Sequence, residues 1–127
     1  MSSVWFMCAG VSGAVAVLLG AFGAHILRPI LPLQSMTIFE TAVRYQSVHT
    51  LALLATALAI HQFPERSRAL DRAGFLFAAG IVLFSGSLYG VALTDLRWAG
   101  AIAPLGGICW VVAWSTLGWT LSRFHKR

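Results

Sequence analysis

Polarity along this chain comes in blocks. Four uncharged apolar stretches, 4–24, 45–63, 73–94 and 98–121, are separated by short segments that hold almost all the charged residues. A helix rises 1.5 Å per residue, so about 20 apolar residues cross a hydrocarbon core of roughly 30 Å. Each stretch is long enough to do so, and four of them in 127 residues leave too little polar surface for a soluble globule. The pattern predicts an all-α membrane protein. It would be a four-transmembrane-helix bundle forming one integral membrane domain over 1–127, with spans at about 4–26, 38–63, 73–94 and 98–121.

Composition agrees. Hydrophobic residues make up 58% of the chain and charged residues 10%, against about 25% charged in a soluble domain. The net charge of +5 would suggest nucleic acid in a soluble protein. Here the basic residues flank apolar spans, so they are assigned to topology and to membrane lipids, and no nucleic-acid partner is expected. The first stretch is expected to be a true span and not a signal peptide, since Met1-Ser2-Ser3 lacks Lys and Arg and the apolar run exceeds an h-region. Cys8 and Cys109 are too far apart for a metal motif and differ in depth, so both are expected to be small packing residues without a disulfide.

Orientation follows from the connections. One side holds Arg66, Arg68, Arg72, Arg123, Lys126 and Arg127; the other holds Arg28, Arg44 and Arg97. The excess places both termini in the cytoplasm, with Trp5 and Trp119 at that interface and Trp98 at the opposite one. The basic tail 123–127 is expected to touch anionic headgroups, at roughly 1 kcal/mol per basic residue. Asp95-Leu96-Arg97 predicts a tight turn joining the third and fourth helices as an antiparallel hairpin. Pro64 ends the second helix. Pro104 is expected to kink the fourth. Thr37-x-x-Glu40 matches a capping box, which would start the second helix near Ile38. Small residues four apart (Ala16, Gly20 and Ala24; Gly86 and Gly90; Ala103 and Gly107) predict seams within the bundle, or alternatively a homo-oligomer interface.

Polar residues that loop solvation does not explain gather at one depth, toward the non-cytoplasmic side. His25 ends the first helix; Glu40, Arg44, Tyr45, Gln46 and His49 open the second; Ser85, Ser87 and Tyr89 lie in the outer half of the third. Glu40 and Arg44 are four apart on one helix side, which predicts a pair. An ionisable group in a span needs a partner or water. In the structural interpretation Glu40 caps, Arg44 snorkels and the histidines bond between helices. In the functional one, His25, Glu40, Arg44, Tyr45, Gln46 and His49 line a small pocket for a headgroup, a quinone or a solute. His25 and His49 also raise haem ligation, but His25 sits at a helix end, so no haem or other cofactor is expected. His25, Glu40 and His49 are too few and poorly spaced for a metal. No nucleophile–base–orienter set appears, and three of the four acidic residues fall in loops, so an enzyme is not expected.

Three segments carry a family resemblance. Gly20-Ala21-Phe22-Gly23-Ala24-His25, then Thr41-Ala42-Val43-Arg44-Tyr45-Gln46-x-x-His49, then Pro104-Leu105-Gly106-Gly107, resemble the YgdD-like small inner-membrane proteins. This is a domain-of-unknown-function family with a eukaryotic mitochondrial relative. The resemblance covers nearly the whole chain and implies a four-helix protein of the bacterial inner membrane, with no established activity. The leading expectation is therefore a non-enzymatic membrane protein working through the polar pocket or in a membrane complex. The alternatives are a small oligomeric transporter or proton-coupled channel using Glu40 or His49, and an accessory haem- or quinone-binding subunit of a respiratory complex.

Overall fold

Long apolar runs without breakers fold as long helices. The computed structural model describes residues 1–123, and among these there is no strand. α1 covers Ser2–Phe22 and continues into a single π-helical turn, Gly23–Leu27. α2 covers Leu33–Gln62. A 3-10 turn at Pro64–Arg66 leads to α3, Ser67–Gly80, which passes through a second π-helical turn, Ile81–Ser85, into α4, Gly86–Thr94. A 3-10 segment at Arg97–Ala101 precedes α5, Ala103–Ser122. The residues of the expected tail beyond Arg123 lie outside the described residues.

The expected spans correspond to four helical rods. Three of them, Ser2–Leu27, Pro64–Thr94 and Arg97–Ser122, are long and apolar enough to cross a membrane. α2 is not among them, although its 30 residues make it about 45 Å long. It is the most enclosed element, with Phe39, Ala42, Leu53, Thr56 and Ala57 almost fully buried. α1 lies along it, and α3, α4 and the π-helical turn between them also pack on it. The α2 polar residues Gln46, His49, Thr50 and Thr56 face protein, whereas Arg44, Tyr45, Val48, Leu51 and Leu58 lie on an exposed outer face.

The structure corrects several expectations. α2 begins at Leu33, not near Ile38, and no capping box forms. Pro32, with ψ at 150°, is the N-cap, and the Thr37 hydroxyl donates to the Leu33 carbonyl at 3.0 Å within the helix. Proline cannot continue a helix backwards, but its fixed φ suits the residue that opens one, so the helix starts as early as Pro32 allows. Pro104 does not kink a span. The expected fourth span opens as a 3-10 segment, and Pro104 falls in the first turn of α5, where the missing N–H has no helical partner to lose. Of the small-residue pairs, Ala16 is buried and Gly20 faces Val43 of α2, whereas Gly86 and Gly107 have open space where a Cβ would stand. The closest approaches occur elsewhere. A Cβ on Gly80 would collide with the Trp110 indole, and one on Gly106 with the backbone of Phe84.

The turn between α4 and α5 is as expected: Asp95 takes the left-handed conformation, φ 57°, and ends α4. α3 and α5 lie side by side as a hairpin. Cys8 and Cys109 are free and half-buried. At the end where α1 starts, the Trp5 indole donates to Asp71 Oδ1 at 2.8 Å, and Arg66 donates to the Thr120 carbonyl at 3.1 Å. Trp119 is exposed at this end and Trp98 at the other. The core has two parts: Leu53, Leu70, Phe77, Trp110 and Leu117 toward the first end, and Leu27, Met36, Phe39 and Ala92 toward the second.

Candidate functional site

The six polar candidates separate into an interior set and a surface set. Gln46 and His49 point into the bundle; His25, Arg44 and Tyr45 are exposed, and Glu40 is partly exposed. Gln46 and His49 are three positions apart on α2, so one face carries both, while Arg44 and Tyr45 are exposed.

The interior set is a closed hydrogen-bond row. The Gln46 amide donates from Nε2 to the Ser12 carbonyl of α1 at 3.0 Å and accepts at Oε1 from the Tyr89 hydroxyl of α4 at 2.6 Å. Ser12 and Thr50 share a hydroxyl–hydroxyl bond at 2.6 Å. Gln46 thus ties α1, α2 and α4 at one depth. Next to it, Ser85 in the π-helical turn donates to the Ala42 carbonyl at 2.8 Å. Among the described residues no buried side-chain nitrogen or oxygen lacks a partner.

His49 sits in an aromatic stack rather than a ligand pocket. Its ring lies on Trp110 with centroids 3.6 Å apart and planes 4° apart. Its Nδ1 is 2.7 Å from the Tyr45 carbonyl, the i−4 position of its own helix. Tyr45 stacks on the same indole at 5.9 Å, and Phe84 tilts against it at 4.7 Å. Trp110 is held from the other side: its indole donates to the Phe77 carbonyl at 3.2 Å and fills the notch left by Gly80. His25 is exposed on the π-helical turn after α1, so the two histidines considered for haem face different surroundings. Among the described residues no three His, Cys, Asp or Glu side chains are grouped as a metal ion would require.

The surface set centres on Glu40. Its expected pairing with Arg44 is replaced: Arg28, on the loop after the first π-helical turn, reaches across to the Glu40 carboxylate. With α2 extended back to Leu33, that loop stands beside the second turn of α2. The pair is 62% and 42% exposed, so it contributes less than about 1 kcal/mol. Arg44 makes no ion pair among the described residues. Between the end of α1 and the opening turns of α2 lies a crevice of about 270 Å³. Gly20, Gly23, Met36, Phe39 and Val43 form its apolar walls, and Glu40 and Arg44 also line it. The phenyl ring of Phe39 sits where a Cβ on Gly23 would stand, so that glycine sets how closely α1 and α2 meet there. Of the six candidates this crevice gathers Glu40 and Arg44, and not the other four. Gln46 lines a different groove of about 400 Å³, between α1 and Ala78–Val82, whose other walls are mostly apolar.

Ser12, Thr50 and Trp110 organise the interior and were not among the sequence candidates. Ser12 had a weak signal, a lone hydroxyl opposite the polar half of α2 in an antiparallel neighbour. Trp110 had none beyond being an aromatic residue in a span.

Comparison with known proteins adds the family. Residues 19–107 match the family described as Protein of unknown function (DUF423). UPF0382 membrane protein YwdK of Bacillus subtilis is 38% identical over 111 residues, which is 87% of this chain and 89% of that protein. A UPF0382 membrane protein of Staphylococcus epidermidis is 41% identical over 114 residues, 90% of this chain and 91% of its own length. UPF0382 inner membrane protein YgdD of Escherichia coli is 38% identical over 109 residues, 86% of this chain and 82% of its own. No solved structure matches. With three helices of membrane-crossing length and relatives of this kind across most of its length, the chain is an integral membrane protein belonging to the uncharacterised DUF423 family, whose members include the UPF0382 membrane proteins.

Proposed function

We propose that this is a non-enzymatic protein of the bacterial inner membrane, with four spans and both termini in the cytoplasm, which binds a small amphiphile at the Glu40–Arg44 crevice. The observation that carries the proposal is the electrostatics of that crevice. Arg28 neutralises Glu40, so Arg44 is left as an exposed cation at the mouth of an apolar cleft. Such a cleft suits a molecule with one acidic group and a short apolar body. A cation at the end of a membrane-crossing bundle otherwise spends its charge on water or headgroups. The fourth span is α2: its polar residues Gln46, His49, Thr50 and Thr56 are buried against its neighbours and Val48, Leu51 and Leu58 give it an apolar outer face, so its modest hydropathy is compatible with crossing. The inner membrane is supported by the relatives' source and by the name of the Escherichia coli protein.

The test is purification from native membranes in mild detergent, with bound small molecules and proteins identified by mass spectrometry. The expected outcome is a retained acidic amphiphile that the wild-type protein holds and Arg44→Ala loses, while the variant accumulates and melts as the wild type does. Retention unchanged in Arg44→Ala would sink the proposal. So would co-purification of a stoichiometric protein partner covering Arg44 in place of a small molecule. Failure of the variant to accumulate would make Arg44 structural.

A further inference from the structure

A second concave site lies at the opposite end of the bundle, where α3 starts and α5 finishes. It is an open crevice of about 600 Å³, lined by Glu65, Arg66, Arg68, Trp119, Thr120 and Arg123 among others. Three guanidinium groups and one carboxylate give it a net positive wall. Arg66 links the two helices through its bond to the Thr120 carbonyl. Arg123 lies over the face of Trp119, 4.8 Å from the ring centre, which holds its guanidinium in place while leaving its N–H edges free to point elsewhere. Arg68 is exposed and makes no ion pair among the described residues.

Charge alone would fit any phosphate. The place of the crevice selects its source. It is bordered by the start of one membrane-crossing stretch, Pro64–Thr94, and the end of another, Arg97–Ser122. Trp119 is 65% exposed at its rim and continues the exposed apolar face that Ile108 and Val112 make along α5. A molecule held by the arginines thus has an apolar track running from it into the bilayer. From these observations we infer that the Arg66–Arg68–Arg123 crevice binds the phosphodiester headgroup of an anionic phospholipid, whose acyl chains lie along α5. The site is separate from the Glu40–Arg44 crevice and does not depend on what that crevice binds. It also differs from general attraction to a charged surface, because its cations are arranged around one cavity.

The test uses the full chain in mild detergent, titrated with phosphatidylglycerol or with phosphatidylcholine, with lipid occupancy read by native mass spectrometry. The wild type is expected to prefer phosphatidylglycerol. Each arginine removed is expected to weaken that lipid about fivefold, so Arg68→Gln with Arg123→Gln costs roughly 25-fold. Arg97→Gln, at the other end of the bundle, and Arg44→Ala are expected to leave the preference intact. If the double variant does not give wild-type circular dichroism, the single Arg68→Gln decides, because that side chain is exposed and holds no other element. Full phosphatidylglycerol preference in a folded Arg68→Gln variant overturns the inference. Displacement of the lipid by an equal concentration of inorganic phosphate overturns the choice of a lipid over a free phosphate.

Discussion

At the scale of single residues, the difference between the candidate side chains is whether they are already satisfied. Gln46 uses both ends of its amide, on Ser12 and on Tyr89, so its role is to join helices. Tyr89→Phe removes the O–H donor and leaves Gln46 Oε1 unpaired in the interior. Interhelical bonds inside membrane bundles are worth about 0.6 to 2 kcal/mol, so the variant is expected to lose about 1 kcal/mol of stability. Unfolding in detergent measures this, and an unchanged midpoint would show that the bond contributes nothing. The polarity of Gln46 and His49 could be read from the sequence, but not their separation from the four exposed or partly exposed candidates. Their partners could not, because Ser12 is 34 residues from Gln46 and Trp110 is 61 residues from His49, and only packing brings them together. The same applies to Glu40. Its neighbour at the helical spacing, Arg44, was the natural partner by sequence, but Arg28 holds it because α2 starts early enough to bring the loop alongside.

At the scale of elements, run length located all four rods, but not how they end or touch. The two π-helical turns, Gly23–Leu27 and Ile81–Ser85, left no mark in the sequence, since a widened turn needs no special residue type. The second of them matters for packing. It turns Ser85 onto α2 and lies beside the notch where Trp110 enters against Gly80. The stripes of small residues pointed to other glycines because close approach is set by what the facing helix inserts, not by spacing alone. Gly80→Ala is expected to force the Trp110 indole out of its seat and cost about 1 to 3 kcal/mol. Gly107→Ala, which has open space around it, is expected to be neutral within about 0.5 kcal/mol. Thermal unfolding of the two variants side by side checks this. Equal midpoints would remove the notch from the account of how α3 and α5 are held.

At the scale of the whole molecule, charge is unevenly divided between the two ends. Arg66, Arg68, Arg72 and Arg123 stand at the end where α1 starts, with Arg28, Arg44 and Arg97 at the other. The bias predicts cytoplasmic termini. A phosphatase–fluorescent-protein pair of reporters fused after residue 127 is expected to fluoresce and to show no periplasmic phosphatase activity, and the reverse pattern would invert the assigned topology. The dependence of the inner face of α2 on partners from later helices also bears on how the protein is made. α2 is the second helix to leave the ribosome, and when it does only α1 is present to shelter it. Alone in lipid its Gln46 and His49 would oppose insertion, and the Tyr89 hydroxyl and Trp110 ring that meet them belong to α4 and α5, which are made later. A chain cut short after α2 is therefore expected to be held in the membrane less stably than the full chain, because the groups that satisfy its inner face lie in the second half.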